Sequence, residues 1–393
     1  MTSRRRESSR RTRPCPLDPA RRVAHPPEPV PEPTLRRSTV SRVLTALVAT
    51  VLLAGTASVG GVPGTPTAPG AAVAAPLWPV PQPFPATDDP PETLAGLPPG
   101  SAYVALGDSY SAGYGLGHPT GLPVRACAQS GEDYPHRIAA RFGFDLTDVT
   151  CAGATSEDVR DRVQFRGARP QLEALSADTR LVTLTIGGND ADLFGTAGSC
   201  LALSATGPVF SGQNAPSCRS TLASDGVDTL GAKIQGRVAL GVAETLADVR
   251  AAAPNATVIV LGYPAIFPDA AHTPSSGCFR PAVDLGTLAG RFPRDTYPFT
   301  DADVRWLHGV QEQLDDVTRN AAQAAGATFI EVFAETQAHS ACARKGAYVE
   351  GISLESLGGL SRIDLRPGAL HPNRAGVRFL TDRTADVLRS RFG

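Results

Sequence analysis

From Ser101 onward the chain alternates between short apolar runs and amphipathic helical stretches, and that alternation constrains the fold more than any other feature. Tyr103–Leu106, Asp145–Thr150, Arg180–Ile186, Ala256–Gly262 and Thr328–Val332 read as strands. The β-branched content of Arg180–Ile186 marks it as buried, and Ala256–Gly262 reads as a central strand. Between them Tyr134–Phe142, most of Leu222–Ala253, Asp303–Ala325 and Arg374–Arg391 read as helices. Strand–helix alternation predicts an α/β domain with a mostly parallel sheet covered on both faces. Such sheets bind ligands beyond the C-terminal ends of their strands. Gly195–Ser224 and Tyr263–Thr300 are too long for ordinary connections; they read as ordered loop insertions at the rim of a site.

The beginning of the chain has a different composition. Residues 1–42 hold eleven Arg against four acidic side chains, a net +7 with scattered Pro and little apolar periodicity, which cannot build a core. An apolar run from Val43 to Ala57 follows, then Gly/Pro/Ala-rich sequence containing Ala72-Val-Ala74. A positive flank, a short apolar run and Ala-x-Ala predict a secretory signal over residues 1–75. A membrane anchor is the weaker alternative, because a span needs about 20 apolar residues and this run is shorter and broken by Gly and Thr. Residues 76–100 read as a Pro-rich linker, and 101–393 as the folded domain.

Beyond residue 42 the chain carries 26 basic and 34 acidic side chains, a net −8, which argues against nucleic acid as a partner. Of seven cysteines, Cys15 falls in the segment that secretion removes. The other six show neither Cys-x-x-Cys nor zinc-like Cys/His spacing, so in an exported chain they predict disulfides rather than a metal site.

Four stretches carry chemistry. In Val104-Ala-Leu-Gly-Asp-Ser-Tyr-Ser-Ala-Gly113 a strand runs into a small-residue turn that holds Ser109 at the strand end, where a hydroxyl can serve as nucleophile. Ser111 lacks that context and reads as a turn residue. Cys151-Ala-Gly-Ala-Thr155 places Gly153 where the missing Cβ allows close approach of backbone and substrate. Leu184-Thr-Ile-Gly-Gly-Asn-Asp190 delivers Asn189 just beyond a buried strand, and Leu370-His-Pro-Asn373 fixes His371 in a short loop before a helix. Gly113-Tyr-Gly-Leu-Gly117 has the wrong spacing for a dinucleotide fingerprint, and the Gly-x-Ser-x-Gly elbow occurs nowhere.

In order and spacing these four stretches resemble the SGNH (GDSL-type) hydrolases, in the secreted bacterial esterase/lipase branch, from about Ser101 to the end. The resemblance implies a three-layer α/β/α sandwich of flavodoxin-like type with disulfide-stapled loop insertions. It also implies Ser109 as nucleophile and His371 as base, with an oxyanion hole built from the Ser109 N–H, the Gly153 N–H and the Asn189 side-chain amide. The family's habit of joining sequential neighbours implies Cys127–Cys151, Cys200–Cys218 and Cys278–Cys342. Most members place an aspartate three residues before the histidine, and here Gly368 stands there. The Gly368 carbonyl is therefore expected to hold the His371 Nδ1–H, with Asp364 the weaker alternative. The implied activity is hydrolysis of carboxylic esters through an acyl-serine, with no cofactor and no metal. An ester or lipid substrate is expected, met by a secreted monomer with at most transient contact with a lipid surface. Esters of acetylated polysaccharides are the nearest rival substrate, and an inactive glycan- or lipid-binding relative is the rival of another class.

Overall fold

The structure is a computed structural model that describes residues 90–393 apart from 211–213, 290 and 357–362. The expected signal and the linker up to residue 89 lie outside the described residues. Five strands form the central sheet: β1 (Ala102–Gly107), β2 (Asp145–Asp148), β3 (Leu181–Thr185), β4 (Thr257–Leu261) and β5 (Thr328–Ile330). Their order is β2-β1-β3-β4-β5 and every pair is parallel. This is the flavodoxin-like order, in which the chain changes direction of travel across the sheet between β1 and β3 and opens a crevice at their C-terminal ends.

Alternation along each strand divides the core into two layers. Tyr103, Ala105, Leu181, Ile259 and Leu261 face one side, against α1 (Tyr134–Phe142) and the closing helix Arg374–Phe392. Val104, Leu106, Val182, Leu184, Val258 and Val260 face the other, against Ala239–Ala252 and Asp301–Ala324. The protein is thus an α/β/α sandwich. In α1, Tyr134, Ile138 and Phe142 recur every four residues and are all fully buried, which is why this stretch is helical and faces inward. Asp133 starts it by accepting the His136 N–H, and Gly143 (φ 67°) ends it.

Three features depart from the sequence reading. Leu94 and Leu97, within the expected linker, are each 2% exposed in the core, and Glu92 pairs with Arg141 and Arg389, so this end of the linker belongs to the domain. Ahead of the long helix, Ala223–Ser224 pairs antiparallel with Val227–Asp228. Asp225 and Gly226 both have positive φ, the requirement of a tight hairpin turn, so the helical stretch begins only at Thr229. The Gly195–Ser224 insertion also contains the end of a helix, Leu193–Ser199. The disulfides are Cys127–Cys151, Cys200–Cys218 and Cys278–Cys342. None of the described helices is long and apolar enough to cross a membrane.

Candidate active site

The C-terminal ends of β1 and β3 are tied together at close quarters. Gly107 has φ 131°, and a Cβ there would lie 2.5 Å from the Thr185 carbonyl oxygen, so only glycine lets the strands approach this closely. The Asp108 N–H donates to the Thr185 carbonyl at 3.0 Å, and the Gln171 amide clamps Gly107 by accepting from its N–H (2.7 Å) and donating to its carbonyl (3.0 Å). Ser109 leaves the sheet from this clamp and is 8% exposed. Ser111, fully buried, has its hydroxyl 3.1 Å from that of Tyr134, consistent with a structural residue.

The His371 imidazole reaches Ser109 from the other end of the chain, with Nε2 2.7 Å from Ser109 Oγ. Nδ1 lies 2.7 Å from the Ala369 carbonyl oxygen. A carbonyl can only accept, so Nδ1 carries the proton and Nε2 is left as the acceptor for the Ser109 hydroxyl. This corrects the expectation for Gly368, whose carbonyl instead accepts the His371 backbone N–H at 3.0 Å. The reason is the path of the loop. Gly368 (φ 92°) and Leu370 (φ 59°) both adopt left-handed backbone, which closes a turn through the Gly368 carbonyl and leaves the next one for the ring. A left-handed conformation is unusual for leucine and is the kind of local strain that collects at functional sites. It is held by the Leu370 N–H donating to the Glu350 carbonyl at 3.0 Å, and by the Tyr110 hydroxyl donating to the Leu370 carbonyl at 2.5 Å. A Cβ on Gly115 would meet Gly368 Cα at 2.3 Å, so the first turn after Ser109 and the His371 loop pack glycine on glycine.

His371 is 4% exposed, and burial lowers its pKa to about 4 although the Ala369 carbonyl opposes the shift. The ring is neutral at ordinary pH and able to accept a proton. Tyr110, Tyr114 and Phe194 surround it with ring centroids 4.9, 5.1 and 5.5 Å away, and Phe194 is 39% exposed, forming an apolar lip.

The other two motifs are bound to the same framework. Gly153 has φ 83° and is exposed, and the Cys151 N–H two residues before it donates to the Gly107 carbonyl at 3.0 Å. The Asn189 amide donates one hydrogen to the Ala154 carbonyl at 2.9 Å, which fixes the plane of the group and leaves its second hydrogen for another acceptor. Asp190 accepts the Ser156 N–H, joining the loop after β3 to the turn after β2.

Tyr263 completes this framework and was not singled out from the sequence. Its hydroxyl donates to Asp108 Oδ2 at 2.5 Å and accepts the Gly188 N–H at 3.0 Å, so one atom links the residue before Ser109 to the residue before Asn189. Burial raises the Asp108 carboxyl to about 7, opposed by the Tyr263 O–H and the Tyr110 N–H. The only sequence signal for Tyr263 is that it lies two residues beyond β4, at the C-terminal end of the sheet where sites form.

A serine hydroxyl bonded to an imidazole whose other nitrogen is held by an acceptor is the arrangement that nucleophilic serine catalysis uses, and here it stands at the switch point of a parallel sheet. A family model described as GDSL-like lipase/acylhydrolase matches residues 105–379. Lipase 2 of Streptomyces coelicolor is 36% identical over 364 residues, covering 91% of this chain and 99% of that protein. An esterase of Streptomyces scabiei is 28% identical over 309 residues, covering 72% and 85%. The crystal structure of phospholipase A1 from Streptomyces albidoflavus NA297 shares the fold with a TM-score of 0.52 at 24% identity, over 73% of this chain and 99% of that one. The extracellular lipase of Streptomyces rimosus does so with a TM-score of 0.52 at 23% identity and the same coverage. The chain belongs to the GDSL-like lipase/acylhydrolase family.

Proposed function

We propose that the protein is an exported serine esterase or lipase that hydrolyses carboxylic esters through an acyl-Ser109 intermediate. The observation that carries this reading is the 2.7 Å contact between Ser109 Oγ and the neutral, Nδ1-protonated His371. As Oγ attacks the ester carbonyl carbon, its proton passes to Nε2, and the Ala369 carbonyl stabilises the imidazolium through Nδ1–H. The carbonyl oxygen becomes negative and is received by the Ser109 N–H, the Gly153 N–H and the free hydrogen of the Asn189 amide. Collapse expels the alcohol, which takes the proton from Nε2. A water molecule then repeats the cycle on the acyl-serine and returns the acid and the free enzyme.

The relatives named lipase and esterase support acyl esters as the substrate class, and the exposed Phe194 beside His371 supports an apolar acyl or alcohol group. Export rests on the signal-like residues 1–75 and on three disulfides, which persist in oxidising compartments. The domain scheme proposed is therefore a removed leader, a linker ending before Glu92, and the hydrolase domain.

The test is hydrolysis by the purified protein of esters graded from acetyl to long acyl, with an acetylated glycan alongside. Wild type should cleave acyl esters, and a folded Ser109→Ala variant should lose several orders of magnitude in rate, keeping only oxyanion stabilisation and binding. Near-normal activity in that variant would make Ser109 structural. Cleavage of the glycan alone would move the substrate class to polysaccharide esters.

A further inference from the structure

Away from Ser109, one cluster of side chains has donor atoms that the fold leaves unused. Asp133 lies at the start of α1 and is fully buried; its Oδ1 accepts both the His136 N–H and the His136 ring at 2.8 Å. Asp148 ends β2 with a side chain 4% exposed; its Oδ1 accepts from the Gln129 amide (2.8 Å) and from the Thr150 N–H (2.9 Å) and hydroxyl (2.7 Å). Each carboxylate thus commits one oxygen to the fold. The second oxygen of each, Asp133 Oδ2 and Asp148 Oδ2, is buried without a hydrogen-bond partner. Asp148 Oδ2 points toward His136 Nδ1 at 3.3 Å without hydrogen-bond geometry, and one donor atom from each of the three residues falls within 4.8 Å of the others.

We propose that Asp133, His136 and Asp148 form a binding site for a zinc-like divalent cation, independent of the reading of the Ser109 site. Two carboxylate oxygens and His136 Nδ1 are three protein ligands of the kinds zinc takes, with a fourth position for water; the cation would displace to solvent the proton that Nδ1 donates to Asp133. Tetrahedral bonds of about 2.0–2.2 Å place neighbouring donors about 3.4 Å apart, close to the 3.3 Å between His136 Nδ1 and Asp148 Oδ2. Calcium fits poorly because it takes six to eight oxygens, and magnesium because it favours octahedral oxygen and retained water. The His136 side chain is 32% exposed, which opens the cluster to solvent on one side, while the carboxylates are closed off behind it. An ion pair of His136 with Asp133 Oδ1 and Asp148 Oδ2 still leaves Asp133 Oδ2 buried without a partner, at a cost of about 1–3 kcal/mol for such a group.

The placement gives the cation a structural task. Asp148 lies five residues before Gly153, and the intervening Cys151 is bonded to Cys127, whose carbonyl accepts the Ala152 N–H at 2.9 Å. A cation would join the turn leading to Gly153 to the start of α1.

The full chain, stripped with a chelator and desalted, would be titrated with zinc chloride by calorimetry, and its bound metal measured. Wild type and Ser109→Ala should each take up one equivalent and melt at a higher temperature with zinc than without. His136→Gln and Asp148→Asn, which each remove a direct ligand, should bind more weakly by at least about 10–100-fold, the cost of losing even a group that only orients a ligand. Circular dichroism would establish that each variant is folded. Cobalt(II) titration of wild type, which should give the visible absorption of a four-coordinate ion, keeps the test open if a variant fails to fold. Absence of uptake by wild type at about 100 µM zinc, zinc affinity unchanged in either folded variant, or a six-coordinate cobalt spectrum would overturn the proposal.

Discussion

A peptide carbonyl can orient a catalytic imidazole because orientation needs an acceptor in the right place, not a charge. The Ala369 carbonyl, 2.7 Å from Nδ1, fixes the tautomer and leaves Nε2 facing Ser109. What it gives up is the stronger electrostatic support that a carboxylate offers the imidazolium. Two predictions belong to this scale. Asp364→Asn should lower kcat by less than about tenfold, whereas disabling a true triad aspartate costs around 10⁴. Steady-state kinetics on the folded variant decides between them. The second concerns pH. Burial without a carboxylate partner lowers the His371 pKa to about 4, so the base stays unprotonated until the pH falls toward that value. The kcat/KM profile should hold its acid side down to about pH 5 and then fall as Nε2 takes up a proton. A full loss of activity centred near the ordinary histidine pKa of about 6.5 would mean that an anion supports the ring after all. The sign is the same for stability: a histidine buried neutral makes the fold less stable as pH falls from about 6.5 toward its native value.

Between elements, the site depends on how loops after β1, β2 and β3 are bound to one another, and Tyr263 is the most economical of these links. Tyr263→Phe removes one oxygen but leaves Asp108 short of a donor and the Gly188 N–H short of an acceptor. Urea unfolding should show a loss of about 1–3 kcal/mol, and kcat should fall with it as the Gly188–Asn189 turn loosens. Unchanged stability and kcat would remove Tyr263 from the framework. The elements that were legible in the sequence are those whose hydrophobic period is local: β3, β4, α1 and the closing helix with its Asn373 cap. Ser109, Gly153, Asn189 and His371 stood out because each sits in a short motif beside a strand or helix end. Tyr263 and Gln171 did not, since their partners lie 155 and 64 positions away and neither sits in a short motif of its own. The choice of Ala369 over Gly368 turned on backbone angles at Gly368 and Leu370 that residue identity alone leaves open. Pro-rich composition hid the burial of Leu94 and Leu97, and the Asp225-Gly226 hairpin was absorbed into a helical pattern.

For the whole molecule, residues far apart in sequence meet at one end of the sheet: Ser109 near the start of the domain and His371 near its end are 262 positions apart and share a hydrogen bond. The closing helix carries His371 into place from its N-terminal side while packing on α1, so the site is completed only when the last element docks. The central claim is that this pair activates one hydroxyl for covalent chemistry. A serine-directed fluorophosphonate, followed by intact-protein and peptide mass spectrometry, measures that directly. Wild type and Asp364→Asn should acquire a single adduct on Ser109 at similar rates, His371→Ala should label far more slowly, and Ser109→Ala should remain unmodified. An adduct on another residue, or equal labelling of wild type and His371→Ala, would contradict the account.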